Sequence, residues 1–539
     1  MKAPLSNFTI PKPDYHEHEE FINRSRKLRE LKELGIDPYP HKFPRTDPIH
    51  AVIKEFEGEQ LGHSEDAASG TTPAVSVAGR LVLFRPMGKN AFGHIQGQTG
   101  RIQVMFNSEL TQVSGYSPKV EKESPVLSPI KLIEKKIDLG DLVGIEGHLF
   151  HTKKGELTIY VKKLTLLGKS LLPLAEKHSG LTDKELRYRK RWLDLISNPQ
   201  VHQVFEKRSK IIRLIRRYLE EHKFIEVETP VLQTVYGGAE AKPFETHLHA
   251  MEQDMFLRIS LEIPLKKLII GGMHRIFEIG RVFRNEGIDR NHNPEFTLLE
   301  AYAAYWDYHD MMSLFENLCE HLALELYGTT KIAVKTEEDQ LITVDLKTPW
   351  PRYTMIDAIK KFGHLDVDSL SDEEMGNLLL ESEHIAPEKL STMGRGLRIA
   401  ALFEVFAEPY LIQPHHIIDH PIETTPLCKP HRNPKLKERH LVERFESFIL
   451  GHEICNAYTE LNDPELQRKL LEEQAMRRAA GDEEASPLDE EFIEAICQGM
   501  PPTAGIGVGI DRLVMILTNS HAIRDVLCFP WMKPLAEIQ

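Results

Sequence analysis

Three regimes of hydrophobic patterning follow one another along the chain. Residues 1–72 carry one helical stretch, Arg24–Leu34, with Leu28, Leu31 and Leu34 apolar and Gly35 and Pro38 as stop signals. The polar run Glu57–Thr72 then predicts a loop. Between residues 73 and 168 the pattern shortens to β-branched or alternating runs: Ala74–Phe84, Ala91–Gln96, Arg101–Phe106, Leu142–Phe150 and Leu157–Leu166. Turn residues such as His151–Gly155 divide them. Five strands at this spacing predict a small β-barrel of the OB type, with Val113–Ile130 (Pro118, Pro125, Pro129) as a loop on it. Leu171–Gly180 reads as a linker, within a span of 169–186.

From about Leu181 the pattern becomes mixed α and β. Val201–His222 has apolar residues at Val201, Val204, Phe205, Ile211, Ile212, Ile215, Tyr218 and Leu219, a helix with a basic opposite face. Phe224–Val227 is a short strand closed by Pro230. Residues 335–440 predict a partly helical insertion, with a helix at Asp372–Glu383, and Glu472–Leu488 predicts an acidic loop. The expected fold class is α+β, and the catalytic part would be residues 187–539. No internal repeat is visible.

A length of 539 residues allows about two to four domains, and a 41% hydrophobic content is ordinary for a globular protein. No run of about 18 apolar residues suggests a membrane span, and the charged N-terminus lacks a signal-peptide core. Cys319, Cys428, Cys455, Cys497 and Cys528 are scattered, which fits free thiols and a cytoplasmic location. The net charge of −14 argues mildly against a nucleic-acid partner. The basic stretch 184–217 is either a solvated helix face or a landing site for phosphates.

Three strings carry candidate chemistry. In FRNEGIDRNHNPEFTLLE (283–300), strand, loop and returning strand form a hairpin with Arg284 near its tip and His292 in its loop. A guanidinium holds a carboxylate and a phosphate oxygen together, Phe296 can stack on a purine, and Glu286 can accept from an amino group. In GIGVGIDR (505–512), alternating glycines allow close backbone approach to a ligand, and Arg512 sits in the first turn of a helix, where anions are favoured. The string is not the Gly-x-Gly-x-x-Gly dinucleotide fingerprint. In RFESFILGHEI (444–454), Glu446 and Glu453 offer the hard oxygens that magnesium prefers. They would share a helix face or lie near each other across a strand bend. No zinc-protease motif results, because Asn456 stands where a second histidine would be needed.

Together these strings resemble the three signature motifs of class II aminoacyl-tRNA synthetases. Glu226–Pro230 would close the first motif, the Arg284 hairpin would be the second, and Gly505–Arg512 the third. RYRKRWLDLISN (187–198) and GGAEAKPFETH (237–247) are similar to the lysyl-tRNA synthetases, in the subgroup shared with the aspartyl and asparaginyl enzymes. The resemblance covers nearly the whole chain from about residue 20. It implies an antiparallel sheet flanked by helices behind an OB-type anticodon-binding barrel, and a homodimer built partly from the first motif. It also implies activation of L-lysine by ATP to lysyl-adenylate and transfer to the 3′ end of tRNA(Lys), with catalysis by positioning and charge stabilisation.

Carried over residue by residue, Arg284 would clamp the α-phosphate and the substrate carboxylate. Glu286 and Phe296 would hold adenine, His292 would reach the terminal phosphates, and Arg512 would cover the other adenine face and the γ-phosphate. Glu446 and Glu453 would hold two or three magnesium ions. Phe92 and Gln103 fall where the family stacks and reads anticodon bases, with Arg85 and Lys89 as phosphate contacts. The lysine pocket would be Gly238, Glu262, Glu300, Tyr302, Asn456, Tyr458, Glu460 and Gly507, a set with acids and no bases. An ammonium in a closed pocket needs such carboxylates, with Glu300 and Glu460 on the side chain and Glu262 on the α-amino group. An aspartate substrate would need Lys or Arg there.

The chain departs from the family pattern at Lys223 (usually Gly), at Cys455 and Ala457 (Gly), at Tyr458 (Phe), at Leu261–Pro264 and at Phe84 (often Arg). His415, His416, His420, Cys428 and His431 resemble a zinc set by type, but their spacing fits no common finger and zinc is not expected. The competing readings are an aspartyl- or asparaginyl-type enzyme, a paralogue that lysylates elongation factor P and lacks the barrel, and a non-catalytic RNA-binding relative.

Overall fold

The computed structural model describes residues 13–534 except 45, 99, 118–126, 175–180, 336–339 and 483. Residues 1–12, the middle of the loop expected over 113–130 and the second half of the expected linker lie outside the described residues. The chain forms two compact units, Met1–Gln203 and Val204–Gln539.

In the first unit, five long strands close a barrel: β1 (Ala74–Met87), β2 (Asn90–Gln96), β3 (Arg101–Asn107), β4 (Leu142–His151) and β5 (Leu157–Gly168). Their order is β3-β2-β1-β4-β5, antiparallel throughout, and a parallel pairing of β3 with β5 (Gln103 opposite Thr158) completes the ring. Alternation sends Val75, Val77, Ile95, Val104, Ile145, Ile159 and Val161 inward. Ile49–Phe56 is a helix where none was expected, with Ile49 and Val52 in the barrel core, and two expected loops carry helices as well. Ser64–Ser69 is a helix rather than loop, started by a His63 backbone N–H donating to Asp66 (2.8 Å) and stopped at Gly70 with φ 84°. Pro129–Lys136 is a second one: Ser128 caps it, Pro129 opens it, and Ile130, Leu132 and Ile133 enter the barrel core.

The second unit is built on an eight-stranded sheet. Its strands are β6 (Ile225–Glu226), β7 (Arg275–Phe283), β8 (Glu295–Ala304), β9 (Arg352–Thr354), β10 (His415–Pro421), β11 (Leu441–Ile449), β12 (His452–Thr459) and β13 (Thr503–Gly509). They run in the order β9-β10-β11-β12-β13-β8-β7-β6, antiparallel except for the two outermost pairs. One face carries Leu299, Ala301, Ala303, Phe445, Cys455, Ala457, Ile506 and Val508. It is covered by helices α1 (Gln200–Glu221), α3 (Tyr308–Tyr327) and α4 (Ile510–Thr518), with α2 (Glu262–Ile270) packing elsewhere. The stripe Ile211, Leu214, Ile215, Tyr218 and Leu219 of α1 is buried there, each large side chain contributing about 1.5–3 kcal/mol. Cys455 and Ala457, two of the family departures, thus lie on the core side of the sheet. Lys223 follows α1 with φ 68°, the left-handed position where glycine is usual.

The basic stretch 184–217 is largely consumed by ion pairs. Arg187 and Arg191 bind Asp194 (2.7 and 2.6 Å), and Arg189 binds Glu185 (2.7 Å). Arg208 binds Asp511, Arg216 binds Glu226 and Arg217 binds Glu325. These pairs give six of the eleven basic residues in the stretch a structural role. Between β9 and β10, helices Met355–Phe362, Asp372–Glu381 and Arg395–Phe406 form a separate small core. The acidic loop expected at 472–488 is also corrected: Pro464–Ala479 is helix, capped by Asp463, so the loop begins only after residue 479.

Candidate active site

The uncovered face of the sheet is polar because every second residue points to it. Register aligns the polar residues in rows across strands. Glu300 lies opposite Gly507, Gly507 opposite Asn456, and Asn456 opposite Glu446. The next row runs Tyr302, Gly505, Tyr458, Arg444. Glycine at 505 is required by packing: a Cβ there would stand 2.3 Å from both Tyr302 Cε1 and Glu460 Oε1. At Gly507 a Cβ would meet nothing closer than 3.8 Å, so that position leaves open floor.

Above these rows is a cavity of about 490 Å³. Gly238, Glu262, Arg284, Glu286, His292, Phe296, Glu300, Tyr302, Glu446, Glu453, Asn456, Tyr458, Glu460, Gly507 and Arg512 all line it. The two arginine-bearing strings are tied together beneath it, where Asp511 accepts from the Thr297 backbone N–H at 2.7 Å. Arg284 Nε donates to the Ile259 carbonyl (3.4 Å), and its guanidinium lies 5.2 Å from the Phe296 ring centre. Glu286 is exposed in the hairpin loop. Arg512 Nη1 donates to the Glu453 carbonyl (2.8 Å), and its Nη2 lies 3.1 Å from His292 Nε2, whose other ring nitrogen meets Asp289 at 2.8 Å.

Glu446 and Glu453 sit on adjacent strands of the β11–β12 hairpin, which resolves the helix-or-strand alternative in favour of strand. Arg444 Nη2 holds Glu446 Oε1 at 2.5 Å, and its Nε donates to Asn456 Oδ1 at 3.0 Å. Nearby, burial pushes the Glu408 carboxyl up to about 8, with Glu453, Glu404 and Glu446 adding to the rise. Glu404 and Glu408 were not singled out from sequence.

At the closed end are three buried carboxylates. Glu300 Oε1 accepts from the Leu261 N–H and Oε2 from the Tyr302 hydroxyl, both at 2.9 Å. Burial, then the neighbouring Glu262, pushes its carboxyl up to about 8. Tyr458 donates to Glu262 Oε1 at 2.7 Å, a bond that the phenylalanine usual in the family would lack. Gly238, at φ 87°, lets the chain pass where a Cβ would sit 2.1 Å from Ser260 Oγ. Behind these acids lies a base that the sequence reading did not single out. Lys266, fully buried on α2, pairs with Glu262 Oε1 at 2.5 Å and with Glu460 Oε2. Its spacing of four from Glu262 on a helix is the signal that would have found it.

The zinc-like set is dispersed among other partners. His416 meets Ser447 (2.8 Å) and Glu316, His420 the Ile417 carbonyl (3.0 Å), His415 the Gln413 carbonyl (2.6 Å), and His431 the Asn433 N–H (2.9 Å).

On the barrel, Arg85 pairs with Phe92 and Phe92 with Met105, while His94 faces Gln103 in the next row. Gln103 Nε2 donates to Glu156 Oε2 (2.6 Å), and Gln103 Oε1 accepts from the Thr158 hydroxyl (2.9 Å). A cleft of about 530 Å³ adjoins them, lined by His94, Arg101, Gln103, His151 and Glu156. Lys89, in the β1–β2 turn, pairs with Glu109 at 2.9 Å.

The profile of the class II tRNA synthetases for D, K and N matches residues 183–533, and that of the OB-fold nucleic acid binding domain matches residues 75–167. The chain belongs to this class II synthetase family. It is 56% identical to the lysine–tRNA ligase of Chlamydia felis over 97% of this chain and 98% of the relative. It is 44% identical to that of Nostoc punctiforme over 96% and 88%, and 43% identical to that of Staphylococcus epidermidis over 95% and 97%.

Proposed function

We propose that this chain activates L-lysine with ATP and loads it onto tRNA(Lys), releasing diphosphate and then AMP. The observation that carries the reading is the closed end of the cavity, where Glu262, Glu300 and Glu460 are all buried. Three buried carboxylates favour a substrate that brings cations. They disfavour aspartate, whose carboxylate would be repelled, and a neutral isostere would leave them unpaired. Full-length similarity to proteins named lysine–tRNA ligase supports the same choice.

In this reading the lysine carboxylate attacks the α-phosphorus of ATP, and the bond to the β-phosphate oxygen breaks. Arg284 holds the carboxylate and the α-phosphate, so that charge growing on the phosphorus oxygens meets a fixed guanidinium. Glu286 and Phe296 hold adenine, with Phe296 stacked once Arg284 turns to the phosphate. His292 and Arg512 meet the far phosphates. Glu262 takes the α-ammonium, and Glu300 and Glu460 take the ε-ammonium. The carboxylate oxygens of Glu446 and Glu453 fit magnesium, which when bound would screen the triphosphate charge. Arg444 steadies Glu446. The tRNA hydroxyl then takes the lysyl group, with AMP leaving.

The barrel, residues 73–168, would read the anticodon, Phe92 and Gln103 on bases and Arg85 and Lys89 on phosphates. Residues 187–539 would be the catalytic part. A homodimer is supported by the sheet edge: Ile225, Val231 and Leu232 are exposed in and after β6. A cytoplasmic location accords with free cysteines, and no described helix is long and apolar enough to cross a membrane. Intact Arg284, Arg512, Glu446 and Glu453 argue against a non-catalytic relative. Amino-acid-dependent ATP–pyrophosphate exchange tests the reading. Exchange with lysine alone is expected, and exchange with aspartate or asparagine in its place would overturn the specificity.

A further inference from the structure

Lys266 is a base fully buried beneath an acidic pocket, and none of the roles above uses it. It projects from α2 one turn beyond Glu262. Its ammonium touches Glu262 Oε1 at 2.5 Å and Glu460 Oε2, and the rings of Tyr458 and Phe492 lie 5.5 and 5.8 Å away. Both Glu460 oxygens are buried without a hydrogen bond among the described residues: Oε2 has its ion-pair contact with Lys266, whereas Oε1 lies over Gly505. A buried carboxylate oxygen left bare is costly, which marks it as reserved for a ligand donor.

We propose that Lys266 is a positioning residue for substrate lysine: its ammonium holds Glu262 Oε1 and Glu460 Oε2 and leaves Glu460 Oε1 to the substrate's ε-ammonium. The inference rests on the lysine reading above. Charge matching supports it. Three carboxylates against one ammonium leave two negative charges when all are ionised, and a bound lysine brings two ammonium groups. Without Lys266 the buried Glu460 would lose its counter-ion and hold its proton more tightly.

The groups around the cluster are Glu262 on α2, Glu300 and Tyr302 on β8, Arg444 on β11, Tyr458 and Glu460 at the end of β12, and the Cys428 thiol. Burial works to lower the Lys266 ammonium, and contact with Glu262 and Glu460 overrides it, holding it above the ordinary lysine range. Burial, with Glu262 and Glu300 adding to it, holds the Glu460 carboxyl well above the ordinary carboxylate range, and contact with the Lys266 ammonium works against that rise.

The test is the pH profile of lysine-dependent pyrophosphate exchange for the full-length enzyme, Lys266→Met and Lys266→Arg. In Lys266→Met the acid limb of kcat/KM for lysine should move up by at least about one pH unit, a tenfold loss at the foot of the limb. The loss should lie in KM for lysine rather than for ATP, and Lys266→Arg should restore most of the limb. A folded methionine variant whose limb stays in place, or whose activity falls equally at every pH, overturns the inference. If that variant does not fold, calorimetry of lysine binding to the wild type in buffers of different ionisation enthalpy decides instead. Release of about one proton or fewer, from Glu300, supports a Glu460 that Lys266 holds ready for the ammonium, and two or more overturns it. Wild-type enzyme inactive with lysine would fail the proposed function and this inference together, whereas activity with lysine and an unmoved limb would fail this inference alone.

Discussion

Replacing Glu300 with glutamine should move stability and activity in opposite directions. The glutamine carbonyl can still accept from the Leu261 N–H, and its amide can donate to the Tyr302 hydroxyl, so the two bonds that fix residue 300 survive. What disappears is the charge. In the lysine-free fold the Glu300 carboxyl is raised from 4.5 to about 8 by burial and by Glu262. A folded value above the unfolded one means that its stability contribution is complete below pH 4.5 and is lost as pH rises through about 8. The difference is worth at most about 5 kcal/mol. Glu300→Gln lacks that loss, so its unfolding midpoint should fall less than that of the wild type between pH 5 and pH 9. Activity should fall, because one buried carboxylate partner of an ammonium is gone. Such a truncation costs about 2–4 kcal/mol, or about 30- to 900-fold in kcat/KM for lysine. Thermal unfolding at the two pH values and lysine-dependent exchange measure the two effects. Near wild-type exchange by the variant, or equal destabilisation at both pH values, would refute the reasoning.

Arg284→Ala should lower kcat for exchange by about 10²–10³-fold, the cost of removing one preorganised stabiliser of transition-state charge, as read by single-turnover adenylate formation. Phe92→Ala should weaken tRNA binding by about 1–3 kcal/mol, seen as a raised KM for tRNA in charging assays, while exchange, which needs no tRNA, stays within about twofold of wild type. Ile225→Asp places one acid from each copy at a two-fold interface and should convert a dimer to monomers in analytical ultracentrifugation at micromolar concentration.

The barrel was legible because each of its strands buries one face, and such strands alternate with period two. Its three short helices were not, since six or eight residues show little periodicity; Ser128-Pro129 was the one local start signal for the last. In the large sheet the same period of two aligns Glu300 with Tyr302 and Asn456 with Tyr458 and Glu460. Those positions came from the family resemblance, but the alternation was there to be read. Arg444, two before Glu446 on one strand, carried the same signal and was overlooked. Lys266 was hidden differently. It sits in an apolar run, Leu261–Ile270, where a lysine reads as a surface interruption until the helix turns it inward toward Glu262. The ion pairs of the basic stretch 184–217 were not legible because its partners Glu325 and Asp511 are distant in sequence and become neighbours only through the fold.

Charging of tRNA is the most direct test of the central claim. Enzyme given ATP, magnesium, each labelled amino acid in turn and tRNA(Lys) should attach lysine alone to the 3′ end, with one AMP and one diphosphate formed for each lysine esterified. Attachment of aspartate or asparagine instead, or no esterified lysine from enzyme shown to be folded, would contradict the account.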